Sequence, residues 1–183
     1  MSNAATSSPR WDPAFIADVI KAYDVRGLVD EQITVDFVRA VGQSFSRLMR
    51  SEGALSVVVA HDMRDSGPEL AEAFAEGVTE QGLNVINIGL ASTDEMYCAS
   101  GLLQVPGAMF TASHNPAAYN GIKLCRAGAR PVGQDTGLAT ISQELAEGVP
   151  ESNGAHGHVT NRDMLQDYAC LLYTSPSPRD RQK

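Results

Sequence analysis

The stretch Leu55-Ser56-Val57-Val58-Val59-Ala60 decides the fold. It is too short for a helix, carries three consecutive β-branched valines, and lacks the alternating polar positions of a half-exposed strand. It therefore predicts a strand buried on both faces, the kind found in parallel sheets. Before it, Phe37, Val38, Val41, Phe45 and Leu48 recur at three- and four-residue spacing, which is one face of a helix beginning at Thr34 and ending near Gly53. After it, Ser66-Gly67-Pro68-Glu69 reads as a helix start, because proline is tolerated in the first turn. Leu70, Phe74 and Val78 line that helix, and Gln81-Gly82 stops it.

The alternation continues. Residues 83–88 form the next strand, and Ser92 with Glu95 three positions on matches a capping box that opens a helix to about Gln104. A third strand follows at 108–111, and 121–125 pairs with it or lies close by across the loop of Ser113. Strands alternating with helices predict parallel pairing through right-handed crossovers, an α/β domain. In open sheets of this kind ligands gather at the carboxyl ends of the parallel strands. The loop 62–67 and the loop of Ser113 both leave such ends, so both are expected on one edge of the sheet.

Thr111-Ala112-Ser113-His114-Asn115-Pro116, followed by Tyr119-Asn120-Gly121-Ile122-Lys123, occupies one of those loops. Taken singly these residues are ordinary turn chemistry, since Asn tolerates turn conformations and Pro ends an element. Together they place a hydroxyl beside a histidine with a lysine ten residues on. A hydroxyl can accept a phosphoryl group, and the resulting charge of about −1.5 to −2 at neutral pH needs donors that His114, Asn115 and Lys123 can supply.

The same string resembles the active-site serine loop of the alpha-D-phosphohexomutases, the phosphomannomutase and phosphoglucomutase family. Two further segments agree in kind and order: Lys21-Ala22-Tyr23-Asp24-Val25-Arg26-Gly27, and Val59-Ala60-His61-Asp62-Met63-Arg64-Asp65-Ser66-Gly67. The resemblance runs from about Ala22 to about Glu147 and corresponds to the first of four domains. It implies a three-layer α/β/α domain with a mostly parallel, mixed sheet. It also implies interconversion of hexose 1-phosphates and 6-phosphates through a phosphoserine and a sugar bisphosphate.

Carried over by position, Ser113 is the phosphoryl carrier, His114 and Lys123 line the reacting oxygens, and Tyr23 and Arg26 stand at the mouth. The alternatives for the last two are a core tyrosine and an arginine paired with Asp24. Arg64, between two aspartates, is either a phosphate contact or a brace for the neighbouring loop. Asn115 joins the phosphate-binding set. Mg²⁺ is the implied cofactor, held on this domain through the phosphate on Ser113, with its other ligands in a second domain. Departures are small: His61 and Ala112 stand where glycine is common or accepted. Tyr119 leans toward the mannose and glucose branch and away from the glucosamine branch. The alternatives to a phosphomannomutase/phosphoglucomutase fragment are a non-catalytic phosphosugar-binding fragment and the phosphoglucosamine mutase branch. A serine hydrolase lacks the expected Gly-x-Ser-x-Gly elbow.

Composition sets the outer bounds. Fourteen basic against 22 acidic side chains give a net charge of −8, which argues against nucleic acid and anionic membrane as partners and leaves hexose phosphates to a local basic cluster. No apolar run approaches the roughly 20 residues that cross a bilayer, and the first ten residues lack the apolar centre of a signal peptide, so a cytoplasmic protein is expected. Cys98, Cys125 and Cys170 form no C-x-x-C pair, and the first two read as small buried apolar residues. Residues 1–10 read as a flexible leader and 11–150 as the domain. Residues 148–162 are rich in Gly, Ser, Asn and His, and 151–170 read as a linker and the start of a second domain. From Leu171 to Lys183 the pattern is lost, and the segment reads as a non-native tail.

Overall fold

The computed structural model describes residues 10–174, so the expected leader, save its last residue, and the end of the expected tail lie outside the described residues. The chain begins with α1 (Pro13–Val19), where the Asp12 carboxylate accepts the N–H groups of Ala14 and Phe15 at 2.8 and 3.2 Å and proline occupies the first turn. Strand β1 (Val25–Leu28) is followed by α2 (Val35–Ser51), capped by the Thr34 hydroxyl, which accepts the N–H of Phe37 at 3.3 Å.

The predicted alternation then appears: β2 (Ser56–His61), α3 (Gly67–Glu80), β3 (Asn84–Leu90), α4 (Thr93–Leu103), β4 (Gly107–Phe110) and β5 (Tyr119–Arg126). Ser92 accepts the N–H of Glu95 at 3.1 Å, as its position before α4 requires. A two-residue β6 (Arg130–Pro131), helix α5 (Leu138–Glu147), β7 (Val159–Asn161) and α6 (Leu165–Thr174) complete the described chain.

The strands lie in the order β1-β5-β4-β2-β3-β7, with β6 beside β5. Strands β4, β2, β3 and β7 are mutually parallel; β5 runs antiparallel to β4, β1 and β6. The sheet is therefore mixed. Alternation sorts its side chains: Val57, Val59, Ala108, Phe110, Ile122 and Leu124 enter the larger core with α1, α2, α3 and α5, while Val58, Ala60, Met109 and Cys125 meet Met96, Ala99 and Met164 on the other face. Helices on both faces make three layers. Phe110 meets Phe74 edge to face and Phe45 meets it tilted, with ring centroids at 5.6 and 5.9 Å, and these rings join the sheet to α2 and α3.

Helices α2 and α3 approach so closely that a methyl group on Gly77 would lie 2.1 Å from the carbonyl oxygen of Arg39. Glycine there is a packing requirement. Cys98 and Cys125 are buried, as expected, and no helix among the described residues is long and apolar enough to cross a membrane.

The stretch 151–170, expected as a linker and the start of a second domain, contains two regular elements. Residues 159–161 add a parallel strand to the edge of the same sheet, and α6 packs on α4. The strand escaped notice because all three of its side chains are exposed. It is held by backbone pairing to β3, which leaves no apolar pattern to read. The expected tail boundary at Leu171 also falls inside α6, which continues to Thr174 without burying a side chain. Helices α1 and α5 and strand β1 likewise add to the expected alternation.

Candidate active site

Two loops leave the carboxyl ends of β4 and β2 on the same edge of the sheet. The β4 ladder ends where Thr111 N–H bonds to Gly121 O at 3.0 Å, and the chain turns at once. Ser113 is exposed and has φ of +52°, the left-handed region that a residue with a Cβ seldom adopts. Its own N–H is held by Thr111 Oγ1 at 3.0 Å. Asn115 closes the turn twice on Ala112 O, through its backbone N–H at 3.0 Å and its side-chain Nδ2 at 2.7 Å.

Arg64, on the loop after β2, reaches across to this turn. Its Nη1 donates to the carbonyls of Pro116 and Tyr119 at 2.9 and 2.8 Å, and its Nη2 to those of Ser113 and Asn115 at 2.9 and 2.8 Å. Asp62 accepts the Arg64 backbone N–H at 3.0 Å, and its other oxygen lies 3.4 Å from Nε. The terminal donors are thus all directed at the serine loop. Asn120, wholly buried, donates to Ser66 Oγ at 2.9 Å and accepts the N–H of Gly121 at 2.8 Å, tying the loop's far end to the start of α3.

Next to the loop, β1 and β5 place the charged groups. Arg26 lies opposite Gly121 and Val25 opposite Ile122, and continuing this register by one residue beyond Val25 sets Asp24 opposite Lys123. Arg26 and Lys123 project from the face opposite Val25 and Ile122, away from the larger core. Asp24 joins them: Oδ1 is 3.7 Å from Arg26 Nη2 and Oδ2 is 3.9 Å from Lys123 Nζ. Gly121 is bare because a methyl group there would lie 2.3 Å from the Val25 carbonyl oxygen. An exposed hydroxyl thus stands at a strand's end, with two cations on the neighbouring strands held by one carboxylate.

The family model for phosphoglucomutase/phosphomannomutase, alpha/beta/alpha domain I, matches residues 17–150. The chain belongs to this family. Within the phosphoglucomutase/phosphomannomutase family, it is 42% identical over 130 residues to a phosphomannomutase of Vibrio cholerae, covering 69% of this chain and 28% of that protein. It is 37% identical over 155 residues to a phosphomannomutase of Escherichia coli K12, 81% of this chain and 33% of the other. A family protein from Burkholderia thailandensis superimposes with a TM-score of 0.77 at 29% identity, over 88% of this chain and 35% of that one. The chain spans about a third of the length of these relatives.

Of the residues singled out from sequence, the fold gathers Ser113, His114 and Asn115 in one turn and sets Lys123 and Arg26 on the adjoining strands. His114 is exposed beside the serine. Tyr23 is 78% exposed, so the alternative of a core tyrosine fails. Arg26 is paired with Asp24, as its alternative reading required, yet a third of its side chain stays open to solvent at 32%. Asn115 and Arg64 spend their side-chain donors on loop carbonyls.

Sequence reasoning missed Thr111, Asn120 and Ser66 as supporting residues, and it paired Asp24 with Arg26 alone. The second pairing of Asp24, with Lys123, needed the sheet.

Proposed function

We propose that this chain is the serine-bearing first domain of a phosphohexomutase that interconverts hexose 1-phosphates and hexose 6-phosphates. The observation that carries the reading is the left-handed, exposed Ser113 at the end of β4, beside strands that present Arg26 and Lys123. The relatives are phosphomannomutases, which supports mannose phosphates as substrates, and the family's description as phosphoglucomutase/phosphomannomutase supports glucose phosphates beside them.

In this reading Ser113 Oγ carries the phosphoryl group. The bond from phosphorus to Oγ breaks as one forms to a hydroxyl oxygen of the hexose monophosphate, and Oγ takes up the proton that the sugar hydroxyl releases. The sugar bisphosphate turns in the site, and its other phosphoryl group returns to Oγ by the reverse exchange. Splitting the transfer in this way is covalent catalysis. Positioning and charge neutralisation supply most of the rate in such transfers. Lys123 and Arg26 oppose the charge on the transferring group, Asp24 keeps the two cations side by side, and His114 and Tyr23 line the approach.

Mg²⁺ fits the described residues only in part. A phosphoryl group on Ser113 would give it one oxygen ligand, but no three His, Cys, Asp or Glu side chains are grouped for a metal among the described residues, and a hard divalent cation asks for near-octahedral oxygen. When bound, the ion would neutralise phosphoryl charge; the family resemblance puts its remaining ligands in a second domain. Hexose phosphates, a sugar bisphosphate and a cytoplasmic setting are parts of the same reading.

The test is to recover the reading frame downstream of Asp167 in the source DNA and assay the longer protein with Mg²⁺ and a sugar bisphosphate activator. Mannose, glucose and glucosamine phosphates are compared side by side. Interconversion that is lost in Ser113→Ala is expected; turnover in that variant close to the parent's overturns the proposal.

A further inference from the structure

We propose that Arg64 is a positioning residue that clamps the Ser113 turn in its left-handed conformation, in place of a direct ligand for phosphate. One guanidinium donates to four carbonyls of a single seven-residue stretch, those of Ser113, Asn115, Pro116 and Tyr119. These carbonyls all turn inward around the same planar fork. The conformation that lets them do so requires the positive φ at Ser113, which costs free energy for any residue with a Cβ and persists only where the surroundings over-determine it.

Charge and burial agree with a clamp. The Arg64 side chain is only 11% exposed, so its cation is balanced internally by Asp62 and by the carbonyl dipoles. Arg64 itself lines the adjoining cleft, about 550 Å³ in volume, but so do Asp30 and Asp65, and with the four terminal donors already bonded to carbonyls the two carboxylates disfavour an anion there. Arginine is required for geometry as much as for charge. Four carbonyls arranged around two terminal nitrogens match a planar fork, whereas an ammonium has three donors on one atom. Because Asp62 and Arg64 belong to the loop after β2, the clamp makes the two loops one body, and the direction of Ser113 Oγ is set by a residue 49 positions earlier in the chain.

The clamp can be tested without turnover, on the 183-residue chain itself, by amide hydrogen exchange resolved by NMR. In Arg64→Ala and Arg64→Lys, the Asn115 and Tyr119 amides, which bond to Ala112 O and Pro116 O, should exchange at least about tenfold faster than in the parent. Val58 and Ile122 in the sheet should be unchanged. Millimolar guanidinium chloride should restore protection in Arg64→Ala, where it can refill the vacated fork, and should not in Arg64→Lys. Titration with inorganic phosphate completes the set. If protection of the loop is unaltered in both variants while phosphate affinity falls, Arg64 is a ligand and the proposal is overturned. A rise in exchange spread evenly over loop and sheet overturns it as well, since that is general destabilisation. If Arg64→Ala does not fold, Arg64→Lys with Asp62→Asn carries the test. The mechanistic value of the clamp rests on Ser113 being the phosphoryl carrier, but loosening of the loop is read independently of it: a longer enzyme that survives Ser113→Ala would sink that role and leave the clamp standing.

Discussion

Asp24 and Lys123 face each other across β1 and β5, with carboxylate Oδ2 3.9 Å from the ammonium Nζ, while Oδ1 of the same group lies 3.7 Å from Arg26. Both contacts are longer than a hydrogen bond. The carboxylate therefore holds two cations by charge and leaves their N–H groups free to point at an incoming phosphoryl oxygen. If Lys123 neutralises the transferring group, Lys123→Ala in the complete enzyme should lower kcat by about 10²-fold with little change in KM, because the contact is worth most in the transition state. Asp24→Asn should lower kcat less, and the double variant should lose less than the two single losses combined, since the carboxylate acts partly through the lysine. Steady-state kinetics of the three variants check this; an effect of Lys123→Ala on KM alone would reassign it to ground-state binding.

The conformation of Ser113 gives a stability test that inverts the usual order of residues. Replacement by Ala removes the nucleophile and leaves a Cβ at φ of +52°, so turnover should fall by orders of magnitude with the fold kept. Replacement by Gly removes the nucleophile and the left-handed strain together, a strain of about 1–2 kcal/mol. Thermal melts of the two variants should place Ser113→Gly at or above Ser113→Ala, although glycine elsewhere lowers stability. The reverse order would show that the turn is not strained at this residue.

Two close approaches predict large costs for a single methyl group. Gly121→Ala would press on the Val25 carbonyl and Gly77→Ala on the Arg39 carbonyl, both backbone atoms that cannot swing aside. Each should destabilise by about 1–3 kcal/mol, read from urea midpoints. Gly121→Ala should in addition disturb the Arg26 to Lys123 spacing, whereas Gly77→Ala, on α3, should leave that region of an NMR spectrum unchanged.

The pair joining α2 to α3 carries a pH signature. Burial works to raise the Glu80 carboxyl, but hydrogen bonds from Arg39 and Gln43 and the charge of Arg39 outweigh it and hold the group below its ordinary 4.5. A carboxylate of that kind stabilises the fold fully above its unfolded value, and the contribution is lost as pH falls through the lowered folded value. Arg39 is 44% exposed, so the pair is worth little, at most about 1 kcal/mol. Glu80→Gln should therefore melt below the parent at pH 7 by no more than about 2–4 °C, and the gap should narrow as pH falls below the ordinary 4.5. A gap that widens in acid would contradict the sign.

Much of the domain was legible because its signals are local. The valine run 55–60, the period of α2, the proline at the start of α3 and the Ser92 cap each depend on residues within one turn or strand of one another, and each appears within a residue or two of its expected place. Elements too short for a hydrophobic period to show were missed. Helix α1 has seven residues, and β7 has three, all exposed.

By itself the sequence determined the α/β alternation, the loop that holds the hydroxyl and the membership that its ordered motifs announce, because hydrophobic period, turn chemistry and motif order are properties of neighbouring residues. Tertiary structure alone decided that β5 runs antiparallel between β4 and β1, bringing Asp24 to Lys123, and that Arg64 closes on four carbonyls 49 to 55 residues away. Those contacts join segments whose separation in the chain carries no periodic trace. Their partners are fixed by strand register and by the hydrogen-bonding needs of buried backbone, and neither exists until the sheet has formed.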